Sequence, residues 1–334
     1  MRLKRVLILL IFGAFSCGKK TGDNVNLNEK PARVVDVPKF NADSAFYFVK
    51  KQVEFGPRVP NSAPHRKTGD YLIAAFKHYG ATTSTQEFEA TTYDKTKVKL
   101  RNIIASFSPE KPKRILLAAH WDTRPFADKD KVNRDKPLDG ANDGASGVGI
   151  LLEIARILKS AKSPEVGVDI ILFDGEDWGE KDYESHVAPA AGLESWWCLG
   201  SQHWAKNKHK ANYSAYYGIL LDMVGGKNAQ FYREGVSLAF APKVVENVWN
   251  TAQRIGYGHV FVKGNEGEIT DDHLFVNQFA KIPMIDIIPH DPATGLFGPF
   301  HHTQDDNMNL ISKETLKAVG ETVLTVVYYE EAGS

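Results

Sequence analysis

Four short apolar runs punctuate the middle of the chain, and each stops at acidic or imidazole residues. Residues 115–119 end at His120-Trp121-Asp122, and residues 168–173 end at Asp174-Gly175-Glu176-Asp177. Residues 219–221 end at Asp222, and residues 284–288 lead through Pro289 toward His301-His302. Runs this short and nearly continuous predict strands buried on both faces of a mostly parallel sheet. Helical periodicity lies around them. Residues 41–55 carry Ala45, Phe46, Phe48, Val49 and Val53, and residues 65–79 carry Tyr71, Leu72, Ala75, Phe76 and Tyr79, each set on one helical face. Residues 82–89 and 98–107, rich in β-branched and aromatic side chains, read as further strands.

The stretch Gly140-Ala141-Asn142-Asp143-Gly144-Ala145-Ser146-Gly147 runs straight into an apolar helix over 148–158. Asp143 therefore stands at the mouth of a buried helix, where the dipole favours an anion. Alone, the stretch reads equally as a turn that caps a core helix. The polar ends of the strands decide the matter: open α/β sheets bind ligands beyond the carboxyl ends of their strands. The expected fold is one α/β domain over residues 41–331. Residues 123–137, dense in Asp, Lys and Arg, read as a solvated excursion. Residues 178–199 hold Trp178, Tyr183, Trp196 and Trp197 without helical spacing and read as a pocket wall beside Glu176-Asp177.

Charge narrows the partners. Lys and Arg number 41 and Asp and Glu 41, so no global field favours nucleic acid. The first five residues are basic, residues 6–15 are apolar but too short to span a bilayer, and Cys17 follows. Residues 1–17 read as a lipoprotein-type signal with Cys17 acylated, and residues 18–40 as a flexible tether. The expectation is an exported bacterial protein, periplasmic or held at a membrane through that lipid. Cys198 is then the single cysteine of the mature domain, with no internal disulfide partner.

The polar ends collect His120, Asp143, Glu176, Asp177, Asp222, Asp271, Asp272, His273, His301 and His302. Mixed imidazole and carboxylate donors suit Zn²⁺ better than Ca²⁺ or Mg²⁺. Carboxylates clustered without a cation would raise one another's pKa.

Taken in order, His120-Trp121-Asp122, Gly140-Ala141-Asn142-Asp143, Glu176-Asp177, Leu221-Asp222-Met223 and His302-Thr303 resemble the zinc-dependent aminopeptidase family. The resemblance implies a three-layer α/β/α fold around a mixed, mostly parallel sheet. It also implies a first metal held by Asp143, Asp177 and His302. In the aminopeptidase branch a second zinc takes the positions of His120 and Asp222, bridged through Asp143. The glutaminyl cyclase branch works with one zinc, and residues 119–128, Asp271-Asp272-His273 and the segment 302–307 resemble that branch. Asp177 stands where most members carry Glu, and His301 where animal cyclases carry Trp.

On the cyclase reading the substrates are peptides or proteins with N-terminal Gln, and the products are pyroglutamyl peptides and ammonia. Zinc would polarise the γ-carbonyl. Glu176 is expected to move the proton, and Asp222 and Asp272 to form a carboxylate network around it. Trp178, Trp196, His301 and His120 are expected to border the substrate. Two alternatives stay open at this point: a two-zinc aminopeptidase, and a binding domain of the same fold without catalysis.

Overall fold

Asn41 opens the first helix by accepting hydrogen bonds at Oδ1 from the amides of Asp43 (3.0 Å) and Ser44 (3.1 Å). That helix is α1 (Ala42–Val53); α2 (Ala63–His78) starts the same way, with Ser62 Oγ accepting from the His65 amide. There follow β1 (Thr82–Thr91), β2 (Lys97–Phe107), β3 (Arg114–His120), α3 (Ala145–Ser160), β4 (Gly167–Phe173), α4 (Leu199–Lys206) and β5 (Tyr217–Leu221). The last third adds β6 (Phe231–Arg233), α5 (Gly235–Phe240), α6 (Pro242–Arg254), β7 (Phe261–Asn265), α7 (Asp272–Phe275), a π-helical turn (Val276–Ala280), β8 (Met284–Ile287) and α8 (Lys313–Tyr329). The structure is a computed structural model describing residues 35–332 except 185, 292, 293 and 296. The signal, Cys17 and most of the tether expected at the N-terminus lie outside the described residues.

Six strands form one sheet in the order β1-β2-β4-β3-β5-β8. The β4, β3, β5 and β8 strands are parallel, whereas β2 pairs antiparallel with both β1 and β4. The four parallel strands are the four apolar runs of the sequence, so their carboxyl ends share one edge. Burial alternates along each strand between two cores. Ile115, Leu117 and Ala119 of β3 pack with α1, α2, α3, α6 and α8, whereas Leu116 and Ala118 pack with Trp204 and Ala205 of α4 and with Val276 and Ala280. Helices thus cover both faces, which gives the three-layer α/β/α architecture. The β6 and β7 strands form a separate parallel pair.

The expected solvated excursion over 123–137 is corrected by the structure. Its first third is buried: Thr123, Arg124, Ala127 and Asp128 are almost entirely enclosed. Arg124 and Asp128 neutralise each other in a bidentate pair at 2.7 and 2.8 Å, so charges that read as surface residues are interior. Residues 129–137 are mostly exposed or half-buried.

Candidate active site

The strand ends deliver the polar residues to one place. His120 is the last residue of β3, Glu176 and Asp177 lie just past β4, and Asp222 just past β5. Beneath them the start of α3 presses directly on the sheet. A Cβ on Gly144 would fall on the carbonyl and imidazole of His120, and one on Gly147 would fall on the Leu221 carbonyl. Glycine at both positions is what lets Asp143 approach the strand ends. Asp143, Glu176, Asp177, Asp222, His301 and His302 line a cleft of about 240 Å³, with Asp271 and Trp197 in its wall.

Two groups in this cleft lack partners. Both carboxylate oxygens of buried Asp177, and Nδ1 of buried His302, accept or donate no hydrogen bond. His302 Nε2 lies 3.3 Å from Asp177 Oδ1, and Asp143, His301 and His302 offer ligand atoms within 4.8 Å of one another. Burial, with Asp143 adding to it, pushes the Asp177 carboxyl well above its usual range. The nearest cation is the Arg124 guanidinium, with Nη1 3.6 Å from Asp177 Oδ1 and beyond hydrogen-bond reach, and a buried carboxylate so weakly compensated is costly. A zinc ion removes that cost, and an imidazole with two carboxylates is a donor set zinc accepts. The residues present fit the metal.

His120 behaves differently. Its Nε2 is 2.9 Å from Asp143 Oδ1 and 3.1 Å from Asp222 Oδ1. Burial disfavours the imidazolium, but Asp122, Asp143 and Asp222 outweigh it and raise the imidazole pKa well above the usual value. Asp143 is held low: burial opposes ionisation and the His120 contact overcomes it. Burial prevails at Asp222, which is pushed up to about 7. Glu176 is raised well above its ordinary value, first by burial, with Asp271 and Asp177 adding to it against His120. Surroundings that raise a carboxyl's proton affinity bring it closer to the range useful for general acid–base work.

The frame around these groups is also acidic. The Asp122 carboxylate accepts the amide of Glu176 at 3.1 Å and that of Asp177 at 3.2 Å. Asp306 does the same for the amides of Asn142 (2.7 Å) and Asp143 (3.1 Å). Arg124 donates to the carbonyls of Asp177 (3.2 Å) and Glu180 (3.0 Å), and its guanidinium lies over Trp197 at 4.6 Å. Trp197 in turn stacks on His302, with ring centroids 5.7 Å apart. Cys198 Sγ donates to Glu176 Oε1 at 3.2 Å.

Asp122 carries a prediction. In Asp122→Asn one amide N–H loses its acceptor and faces an NH₂ group instead, so Glu176 and Asp177 shift together. Losses at such supporting positions run about 10–100-fold in metal affinity or activity. Titrating the apo variant with zinc and measuring turnover should show both falling; a variant with both unchanged would remove Asp122 from the frame.

The structure places four expected site residues differently. Trp178 packs with Phe126 and Leu199 rather than on the cleft. Trp196 is buried with Nε1 donating to the Val187 carbonyl, and the indole that lines the cleft is its neighbour Trp197. Asp272 is fully buried as the first residue of α7, and Asp271, which caps that helix, is the carboxylate facing the cleft. His120 stands within the acidic cluster, 1% exposed, rather than on the wall. His301 does line the cleft, with Lys129 Nζ 2.8 Å from its Nδ1. Residues the sequence reading left without a role are Asp122, Asp306, Asp271 and Cys198, whereas Trp197 enters it only as one of several aromatics of the pocket wall. The first two sit inside its quoted motifs, and Asp271 is in its list of polar ends.

Comparison with known proteins agrees with this geometry. The model of peptidase family M28 matches residues 102–327. The crystal structure of Bacteroides thetaiotaomicron glutaminyl cyclase bound to N-acetylhistamine is 52% identical, with a TM-score of 0.85 over 89% of this chain and 100% of that one. A Zn-dependent exopeptidase from Parabacteroides distasonis is 53% identical, with a TM-score of 0.84 over 88% and 100%. Aminopeptidase YwaD of Bacillus subtilis is 29% identical over 281 residues, covering 81% of this chain and 54% of that protein. The chain therefore spans about half the length of that aminopeptidase.

Proposed function

The chain belongs to peptidase family M28, and from that premise we propose that it is a glutaminyl-peptide cyclotransferase working with one zinc. The observation that carries this reading is the likeness to the Bacteroides cyclase, 52% identical over 89% of this chain. Asp177 and His302 offer ligand atoms without hydrogen-bond partners for the first metal. His120, Asp143 and Asp222 lie close enough to hold a second ion, so the metal count is what separates this reading from a two-zinc peptidase.

In N-terminal Gln the α-amine is the nucleophile and the γ-amide the acyl donor. Zinc held by Asp143, Asp177 and His302 would supply Lewis-acid polarisation of the γ-carbonyl. Asp222 and Asp271 line the cleft beside Glu176 and receive the substrate's free α-amine. Glu176 takes one proton from it and later gives a proton to the departing nitrogen. The bond from the α-nitrogen to the γ-carbon forms, the γ-carbon–amide bond breaks, and ammonia leaves. Trp197, His301 and Phe297 shut the cleft around the glutamine side chain.

One incubation separates the readings. A Gln-initiated peptide should lose the mass of one ammonia, and the purified protein should hold one zinc per chain. Loss of a whole residue, with two zinc ions, would make it an aminopeptidase.

Residues 1–17 are proposed to direct export, with Cys17 becoming the lipid-bearing N-terminus. The Cys17→Ser chain is then expected in the soluble fraction while the natural chain stays with membranes. Equal partitioning of the two would remove the anchor.

A further inference from the structure

Beyond the cleft that holds the glutamine, the same loops line a second hollow of about 210 Å³. The two share Phe297, and neighbouring residues face one or the other: Asp143 and Asn142, Ile288 and Pro289, His301 and Phe300. Residues 227–230 of the second hollow also line a long open groove of about 1300 Å³ that reaches the start of α8. Cleft and hollow thus share a wall at Phe297, and hollow and groove share one at residues 227–230.

The surface along this path has the chemistry of a peptide site. Phe297, Phe300, Pro289 and Tyr232 supply apolar wall. Asn142 stands behind this wall, fully buried, with its Oδ1 accepting from the Gly225 amide at 2.7 Å. Lys227 lines both hollow and groove, is exposed, and makes no ion pair among the described residues. Lys313 and Lys317, farther on, are already paired with Asp43 and Glu321, and Asp291 and Glu314 are the acidic lining residues, which leaves the positive charge to Lys227.

We infer that this path is an extended subsite for the peptide residues that follow the N-terminal glutamine, with Lys227 favouring an acidic side chain among them. The inference rests on the cyclotransferase reading, because it needs a substrate whose first residue lies in the cleft. It makes peptides longer than a dipeptide the substrate class, and acidic sequences the better members of it. Main-chain contacts give affinity along such a path, and the charge gives preference.

The test compares a Gln-initiated dipeptide, a neutral Gln-initiated hexapeptide and an acidic one, with the natural chain and with Lys227→Glu and Tyr232→Ala. The natural chain should turn over the acidic hexapeptide with a kcat/KM about tenfold above the dipeptide, the return on one good extra contact. Lys227→Glu should abolish the acidic advantage, and Tyr232→Ala should lower kcat/KM for both hexapeptides. Neither should change the dipeptide, which serves as the control for folding and metal content. Equal kcat/KM for all three peptides, or a loss in the variants shared by the dipeptide, would overturn the subsite while leaving the cyclotransferase intact. If the natural chain cyclised none of the three, the cyclotransferase reading itself would fail and the subsite with it.

Discussion

Glu176→Gln is expected to keep its zinc and lose about 10²–10⁴-fold in turnover, the usual worth of a positioned proton carrier. Asp177→Asn is expected to lose the zinc itself. The two residues are adjacent, yet their surroundings differ. Glu176 Oε1 accepts from the Cys198 thiol and Oε2 lies 4.0 Å from His120 Nδ1, so its carboxyl belongs to the acid–base cluster. Asp177 has no hydrogen bond to either oxygen, with His302 Nε2 3.3 Å and Arg124 Nη1 3.6 Å away, so its carboxylate is the one expected to hold the metal. Successive residues leaving a strand point to different sides, and Asp122 fixes the main chain of both. Measuring zinc content and cyclisation rate on the same preparations decides the assignment. A zinc-free Glu176→Gln chain beside a zinc-loaded Asp177→Asn chain would exchange the roles.

Arg124→Met should be the most destabilising of the single substitutions considered, by about 3–5 kcal/mol, the range for breaking a buried ion pair from one side. Both side chains of the Arg124–Asp128 pair are completely enclosed. Burial opposes ionisation of Asp128, but its contact with Arg124 overcomes that and holds the carboxyl below its usual range. Removing the guanidinium leaves this carboxylate stranded and the carbonyls of Asp177 and Glu180 without their donor. Denaturant unfolding of the metal-free chain should show the midpoint falling at unchanged slope. A loss within about 0.5 kcal/mol, the usual range for surface changes, would mean that water replaces the arginine there. Asp128 Oδ1 also lies 3.6 Å from His302 Nδ1, so a variant that still folds should bind zinc more weakly.

The sheet and the position of the site were legible because the signal is local: each parallel strand is a short apolar run with its polar residues at one end. Asp143 was legible for the same reason, standing at the entry to α3. What escaped depends on direction rather than composition. Trp196 and Trp197 are neighbours in an irregular segment, where no period tells which indole faces the cleft. Asp271 and Asp272 are separated by the cap of a short helix, so one carboxylate faces the ligand and the other turns inward. The Arg124–Asp128 pair looks like solvated charge because mutual neutralisation inside a protein leaves no mark on hydropathy. The 224–283 region yielded no elements from its pattern, although β6, β7, α5 and α6 lie there.

The pairing of Asp306 with the main chain at Asn142 joins positions 164 apart, and His120 meets Asp222 across 102. Such closures must wait for the sheet to assemble, because loop entropy is spent before these contacts return anything. The metal donors, drawn from segments equally scattered, do not converge in the unfolded chain. Zinc therefore selects finished molecules rather than seeding unfinished ones. Its binding adds to the native state alone, by about 4 kcal/mol when free metal exceeds the dissociation constant a thousandfold. A newly made chain would thus acquire its metal last, and metal scarcity would show as an excess of folded, inactive protein rather than as misfolding.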